Sequence, residues 1–504
     1  MGPRYGILLT GATGLLGRYL LRDLLAAGNR VAVLVRPERG RSPEDRIGEV
    51  MEFARATASG PLQEPTVLAG DLRCRGLGIS HTDRDWISRN CARVLNAAAC
   101  VSVNRSSDGE PHATNATGAR RLLEHCARLG VHEVHHVSTA FICGDRPGPI
   151  LESEGDCGQG YHNDYEHSKH AAEFALRALR ELRTTVYRPS VIVGDSRTGH
   201  TTAYHGAYRF FELANRLAQP GGEPGRRWLP LRLPFDGSER RNLVPVDWVA
   251  QAITRIIGRP TLHGSTYHLT ATRPTSVRTI TDAAVEELGL TGVELAGRPA
   301  HPSALERAFV EGIQECWPHL GSDPAFDCEN TLAALPSFPA PRVDRECLGR
   351  LIRFAVQDGW GRGRHKAPPR GSLDCGDYIE RYFPAAVARS SLARARIEAT
   401  LGFDIRGAGG GQWACRLGGG RVLEVTRDSA DRCDVEYRMS LPTFAAVVSG
   451  RESPQDAFFG RQIEITGNVE QGLKLAALFG RLVREFPYAL TRVTEERHDA
   501  VGVG

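Results

Sequence analysis

The chain has 504 residues, room for roughly two to four domains, and carries 63 Lys+Arg against 59 Asp+Glu, a net charge of +4. That balance excludes a basic nucleic-acid binder or an acidic tail, and 41% apolar with 24% charged residues describes a globular rather than a disordered protein. No run reaches the ~18 apolar residues a bilayer span needs, so no transmembrane segment is expected, and with no cleavable leader pattern the expected location is the cytoplasm. Twelve cysteines include no C-x-x-C pair; they read as reduced small hydrophobes, and no metal site is expected.

Over the first 250 residues short apolar runs alternate with helical patterns. Ile7–Leu9, Val31–Val35, Val67–Ala69, Arg93–Leu95, Val134–Val137 and Thr185–Tyr187 predict strands. Runs of this kind, buried on both faces and separated by helices, predict a Rossmann-type doubly wound α/β domain with a parallel sheet. Residues 200–345 mix Gly/Pro-rich loops with helical pieces, Ala207–Ala218 and Ile280–Glu287, and read as a substrate-covering subdomain interleaved with the last strands. The basic stretch Gly361–Gly371 lacks periodicity and reads as part of a linker. The expected division is therefore 1–360 reductase-type domain, 361–376 linker and 377–504 second domain. In that last part, Trp413, Cys415 and Leu417, a Gly418–Gly420 turn and Val422–Val425 predict a hairpin. Val435, Tyr437 and Met439 alternate as a strand, and Ile463 with Ile465 mark another. Ser453-Pro454 opens a short helix, and Asn468 caps a helix with the stripe Leu475, Leu478, Phe479, Leu482. This is a small α+β domain.

The most specific motif is Thr10-Gly11-Ala12-Thr13-Gly14-Leu15-Leu16-Gly17, between a strand and a helix. Glycines let the backbone turn sharply and approach a pyrophosphate, which the helix N-terminus then attracts. The second strand ends at Val35 and is followed by Arg36. An acidic residue there holds an NAD ribose, whereas Arg suits a 2′-phosphate, so NADP (NADPH) is expected ahead of NAD. Asp71, after the third strand, is a candidate adenine contact.

Tyr165 and Lys169 stand at i and i+4, on one helix face. A phenol near pKa 10 is a poor proton donor or acceptor at neutral pH, and a neighbouring cation is expected to lower it. Thr139, at the end of a predicted strand, is the candidate to polarise a substrate carbonyl, with Ser138 as the alternative. His162, His167 and His170 have no metal-ligand spacing and are expected to face solvent.

TGATGLLG, GDL, NATGARRLL, HVSTAFICG, YEHSK and YRPSVIVGD together resemble the extended short-chain dehydrogenase/reductases. Arg241–Val249 is similar to a signature of the branch holding fatty acyl-CoA reductases and carrier-protein thioester reductases. The resemblance spans about residues 5–290. It implies Thr139, Tyr165 and Lys169 as catalytic residues. It implies Gly11, Thr13, Gly14, Leu15, Gly17, Arg36, Asp71, Leu72, Ala98, Lys169 and Pro189 as NADP contacts, with Asn115 in support. One departure is Asn96, where the family often has His. From about Asp377 to Leu490, DVEYRMSLPTFAAVVSG and SPQDAFFGRQIEITGNVEQGLKLAALFGRLV resemble the sterol-carrier-protein fold, which encloses an apolar tunnel.

The expected activity is reduction of a hydrophobic acyl thioester, on coenzyme A or a carrier protein, to aldehyde or alcohol. Two alternatives stay open: a ketone or hydroxysteroid dehydrogenase or epimerase with a lipid-like or polyketide substrate, and a non-catalytic lipid-transfer or sensing protein with NADP as a structural ligand.

Overall fold

The computed structural model describes residues 6–490 apart from 39, 107, 221–224, 298, 315–320, 362–372, 395–396, 428–432, 451, 453, 460–461, 468 and 489. Two compact units emerge, one drawing on residues 1–300 and 313–361, the other on 301–312 and 362–504. The stretch Gly361–Gly371 lies, but for Gly361, outside the described residues, as do the caps read at Ser453 and Asn468.

The first unit is built on seven strands: β1 (Gly6–Thr10), β2 (Val31–Val35), β3 (Thr66–Ala69), β4 (Cys91–Asn96), β5 (Glu133–Val137), β6 (Arg183–Pro189) and β7 (Thr266–Leu269). Their spatial order is β3-β2-β1-β4-β5-β6-β7, and every pairing is parallel. The six apolar runs marked in the sequence are the first six of these strands. Side chains alternate between two buried faces: Ile7, Leu9, Val31, Val33 and Val35 enter one core, and Leu8, Ala32 and Leu34 enter the other. With both faces covered, Val31–Val35 is apolar at every position.

Five helices frame the site: α1 (Leu15–Ala26), α2 (Pro43–Thr57), α3 (Ala119–Arg128), α4 (Asp164–Ala178) and α5 (Val246–Ile257). Leu20, Leu24, Val249 and Ile253 from α1 and α5 fill the first core, and Leu122, Leu123 and Cys126 from α3 fill the second. Helix α2 starts at a reciprocal box: Ser42 Oγ accepts from the Asp45 N–H, and the Asp45 carboxylate accepts from the Ser42 N–H. The strand order reverses between β1 and β4, which opens a crevice at the carboxyl ends of the strands.

Residues beyond β6 form smaller pieces. Arg227–Leu233 pairs in parallel with Leu290–Leu295, and Val191–Val193 with Leu243–Pro245. The expected helices are present as Ala207–Leu217 and Val277–Glu287.

The second unit has a five-stranded mixed sheet of β8 (Ala399–Arg406), β9 (Gly411–Gly418), β10 (Arg421–Arg427), β11 (Val435–Ser440) and β12 (Ile463–Gly467). Its order is β10-β9-β8-β11-β12. The predicted hairpin is β9–β10, turned by Gly419 and Gly420 at φ 58° and 76°, a left-handed region glycine enters without strain. The central strand β8 is an addition to the predicted elements; its signal is the alternation of Leu401, Phe403 and Ile405 with Thr400, Gly402 and Asp404. Helix α6 (Val469–Glu485) lays Leu475, Phe479 and Leu482 against the core of this unit.

Candidate active site

The carboxyl ends of β1 to β4 surround a cleft of about 460 Å³. Of the residues expected to hold the dinucleotide, Gly11, Thr13, Gly14, Arg36, Asp71, Leu72 and Ala98 line it. Leu15 and Gly17 do not. Leu15 instead leans on the core beneath α1, and Gly17 packs on the loop itself: a Cβ there would lie 1.9 Å from the Gly11 carbonyl oxygen. Gly11, at φ 77°, leaves no room either, since its Cβ would come 2.6 Å from Ala98 N. Gly14 differs, with its Cβ 3.4 Å from Gly11 O and no other protein atom nearby. The loop is thus folded tightly on β4 by Gly11 and Gly17, and Gly14 leaves open space above it. Gly14 also precedes α1 without a side-chain cap, so the first amides of the helix face an anion-sized cradle. This donor set fits a pyrophosphate.

Two guanidinium groups line the cleft at the end of β2. Arg36 is half exposed. Arg46, which no sequence motif singles out, donates to Arg36 O at 2.6 Å and to Thr13 Oγ1 at 3.2 Å, and pairs with Glu38 at 3.1 Å. It thereby ties the glycine loop to the end of β2. Its burial and the neighbouring arginines lower its pKa, with Glu38 opposing. Arg46 lies on α2 and is brought over the cleft only by the fold. Asp71 is engaged by Arg73 at 3.0 Å; burial raises its carboxyl, but the bonds from Arg73 hold it below the usual range.

Asn163 caps α4, its side chain accepting from the Glu166 N–H at 2.9 Å. One turn on, Lys169 is fully buried and its Nζ donates to Val137 O at 2.9 Å, at the end of β5. Burial pulls its amine down to about 8, with Glu173 opposing. Thr139 follows β5, accepts from the Phe141 N–H at 3.3 Å and approaches Pro189 O at 3.4 Å, so Thr139 and Pro189 meet across the ends of β5 and β6. None of Tyr165, Lys169, Thr139 and Pro189 lines the dinucleotide cleft itself. Tyr165 is half-buried, and its phenol is pushed well above its usual value by burial and by the carboxyl of Glu166. This runs against the expectation of a lowered phenol: burial and the Glu166 carboxyl outweigh the cation one turn away.

Asn115 joins the two parts. It donates to Cys100 O at 2.8 Å and Ser168 Oγ at 2.9 Å, and accepts from the Cys100 N–H at 2.8 Å. It does so from a π-helical turn, Ala113–Gly118, the kind of bulge that re-aims one residue. Asn96 bridges two strands' side chains. Thr10 donates to its Oδ1 at 2.7 Å, and its Nδ2 meets His136 Nδ1 at 3.1 Å. Burial holds His136 down at about 3, hence neutral, beside Lys169. Behind the lysine, Glu173 takes a two-pronged bond from Arg188 at 3.0 and 2.7 Å, both side chains buried. Of the flanking histidines, His162 and His167 are exposed as expected, whereas His170 is half-buried, its ring 5.3 Å from Tyr161.

Residues 9–253 match the male sterility protein family, an NAD-binding domain, and residues 384–480 match the SCP-2 sterol transfer family. The chain joins one domain of each family. The non-canonical nonribosomal peptide synthetase FrzA of a Cladobotryum species is 25% identical over 70% of this chain. The fatty acyl-CoA reductase wat of Drosophila melanogaster is 24% identical over 37% of it. The chain spans 36% and 43% of these two relatives. Among solved structures, the terminal R domain of the myxalamid PKS-NRPS pathway superposes with a TM-score of 0.57 at 25% identity, over 73% of this chain and 94% of that one. The male sterility domain is thus an NAD(P)H-dependent oxidoreductase domain, similar to the R domain of a peptide synthetase pathway and to fatty acyl-CoA reductases. No helix among the described residues is long and apolar enough to cross a membrane.

The SCP-2 domain encloses a narrow, almost wholly apolar cavity of about 40 Å³, lined by Phe383, Phe403, Tyr437, Phe444, Phe479 and others. The ring of Phe479 stacks on Phe383 at 5.2 Å and meets Phe403 edge-on at 6.1 Å. An acyl chain entering here must displace aromatic side chains.

Proposed function

We propose that the protein is an NADPH-dependent reductase of a hydrophobic acyl thioester, carried by coenzyme A or a carrier protein, giving aldehyde or alcohol. The observation that carries this reading is the likeness of the male sterility domain to a terminal reductase domain along nearly all of that domain's length. The paired guanidinium groups of Arg36 and Arg46 beside Thr13 support the 2′-phosphorylated cofactor.

In this reading Gly11, Gly14 and the start of α1 hold the pyrophosphate, and Asp71, Leu72 and Ala98 border the adenosine. When bound, the nicotinamide supplies hydride to the thioester carbonyl carbon. Tyr165 then gives its proton to the developing oxyanion, which Thr139 Oγ1 also stabilises. A phenol kept high by burial holds its proton at neutral pH and gives it up only to the more basic oxyanion that hydride addition creates. Lys169 fixes the end of β5 that carries Thr139 and orients the ribose. Loss of thiol from the resulting hemithioacetal leaves the aldehyde, and a second round gives the alcohol. The SCP-2 domain would hold the apolar chain and, being tethered, raise its effective concentration.

The test is one preparation assayed with NADPH against acyl-CoA, acyl-carrier thioester, aldehyde and ketone, with free thiol and products quantified. Thiol release matched to NADPH oxidation is the expected result. Ketone reduction with no thiol released would replace this reading by a ketone or hydroxysteroid dehydrogenase.

A further inference from the structure

At the amino ends of the strands, opposite the cofactor cleft, three side chains converge that the reductase chemistry leaves unused. Glu133 opens β5, His135 stands two residues on, and His263 precedes β7. Glu133 Oε1, His135 Nε2 and His263 Nδ1 lie within 4.8 Å of one another. Both imidazoles are fully buried, and the Glu133 side chain is 25% exposed. All three facing atoms are buried and turned toward one another.

The far ends of both rings are engaged. His263 Nε2 meets Ile256 O at 3.1 Å and Ile257 O at 3.2 Å, and His135 Nδ1 meets the Tyr187 hydroxyl at 2.9 Å. Carbonyl oxygens only accept, so Nε2 of His263 carries a proton. His263 thereby turns its other nitrogen, Nδ1, to the Glu133 carboxylate, which it contacts directly. Two lone pairs opposed in a buried setting repel, and a positive centre between them removes the conflict. A carbonyl holding the outer N–H is also how metal-bound imidazoles are usually fixed. The 3.5 Å between His135 Nε2 and Glu133 Oε1 matches the ~3.4 Å edge of a tetrahedron around a metal with bonds of ~2.1 Å.

We propose that Glu133, His135 and His263 form a zinc site, with water as fourth ligand, that pins the start of β5 to the chain entering β7. Two imidazoles and one carboxylate favour zinc over calcium or magnesium, which prefer all-oxygen shells. Arg93 approaches the same carboxylate oxygen at 4.0 Å and donates to Ile257 O at 3.2 Å. The cation shares Glu133 with it, which sets the affinity below that of an unopposed site. Spacing could not reveal the set, because His263 is remote in sequence from the other two.

The test uses the full chain, stripped with chelator and titrated with Zn²⁺ and with Co²⁺, beside His135→Gln, His263→Gln and Glu133→Gln. The expected result is about one more zinc bound per wild-type chain than per variant, visible Co²⁺ absorption of tetrahedral intensity in the wild type alone, and a zinc-dependent rise in Tm of about 3 °C or more. Equal metal content in wild type and variants, or a Tm that zinc leaves unmoved, would overturn the site and leave a proton shared between His263 and Glu133. Should a histidine variant fail to fold, the partly exposed Glu133→Gln decides: a Co²⁺ spectrum retained there refutes the proposal.

Discussion

Lys169 Nζ donates 2.9 Å to the carbonyl of Val137, two residues before Thr139. The lysine is thereby a strut between α4 and the end of β5, and its protonated form adds the positive charge and the further N–H that would hold a ribose. Burial brings its amine down to about 8, so the active form is lost above that pH. Turnover is expected to hold from pH 6 to near 8 and then fall about tenfold per unit. A pH–rate profile flat to pH 10 would show that this proton has no part in the rate. The stability sign is opposite: between pH 8 and the ordinary lysine value the unfolded chain binds more protons than the folded one, so stability from this group rises with pH.

Tyr165→Phe removes the hydroxyl and little else from a half-buried site. The expected outcome is a loss of at least a hundredfold in kcat, with the Kd for NADPH within about twofold of wild type. Stopped-flow turnover and fluorescence titration of NADPH separate the two. Unchanged kcat would end the assignment of Tyr165 as proton donor.

The parallel sheet is legible in the sequence because strands buried on both faces leave unbroken apolar runs, as in Val31–Val35. The glycine loop is legible because Gly11 and Gly17 have no space for any other residue. What stays hidden depends on contacts between distant residues. Arg46 carries no local signal on an amphipathic helix, and the role of Asn96 emerges only when Thr10 and His136 are brought to it. The i, i+4 spacing of Tyr165 and Lys169 implies proximity, and hence a lowered phenol. Spacing does not show that burial and the Glu166 carboxyl outweigh that cation at the phenol.

The Arg36 and Arg46 pair makes a selective prediction about the cofactor. Each guanidinium that bonds a phosphate contributes about 1.5–3 kcal/mol, so Arg46→Ala should weaken NADPH about tenfold or more and leave NADH within about twofold. Arg36→Ala should do the same, and the two losses should not add fully, since Arg46 bonds the Arg36 backbone. Isothermal titration with both nucleotides checks this. Equal losses for NADPH and NADH would remove the case for a 2′-phosphate contact.

The pair Glu173–Arg188 predicts acid sensitivity. Burial raises the Glu173 carboxyl, but the charge and bonds of Arg188 outweigh it and leave the pKa lowered. A carboxyl lower in the folded than in the unfolded chain contributes stability above its unfolded value near 4.5, and that stability is lost as pH falls through the folded value. Glu173→Gln leaves Arg188 buried without its counter-charge, at a cost of about 3 kcal/mol or more. Denaturant unfolding at pH 7 should show that loss, and the gap to wild type should narrow towards pH 3. A gap that stays constant with pH would mean the pair contributes packing rather than charge.

Gly14 and Gly17 separate folding from binding within one loop. A Cβ on Gly17 would lie 1.9 Å from Gly11 O and 2.9 Å from Ala12 Cα, so the helix must move off the loop. Gly17→Ala should therefore lower Tm and abolish NADPH binding together. A Cβ on Gly14 meets nothing closer than 3.4 Å in the protein, yet it projects from the residue before α1, where the amides face the cleft. Gly14→Ala should keep the wild-type Tm, because Ala also costs the unfolded chain entropy, while NADPH affinity falls at least tenfold. Differential scanning fluorimetry with and without NADPH reads both quantities. If Gly14→Ala retains the full NADPH-dependent rise in Tm, the pyrophosphate does not lie against this turn, and the cradle assigned to it must be placed elsewhere in the cleft.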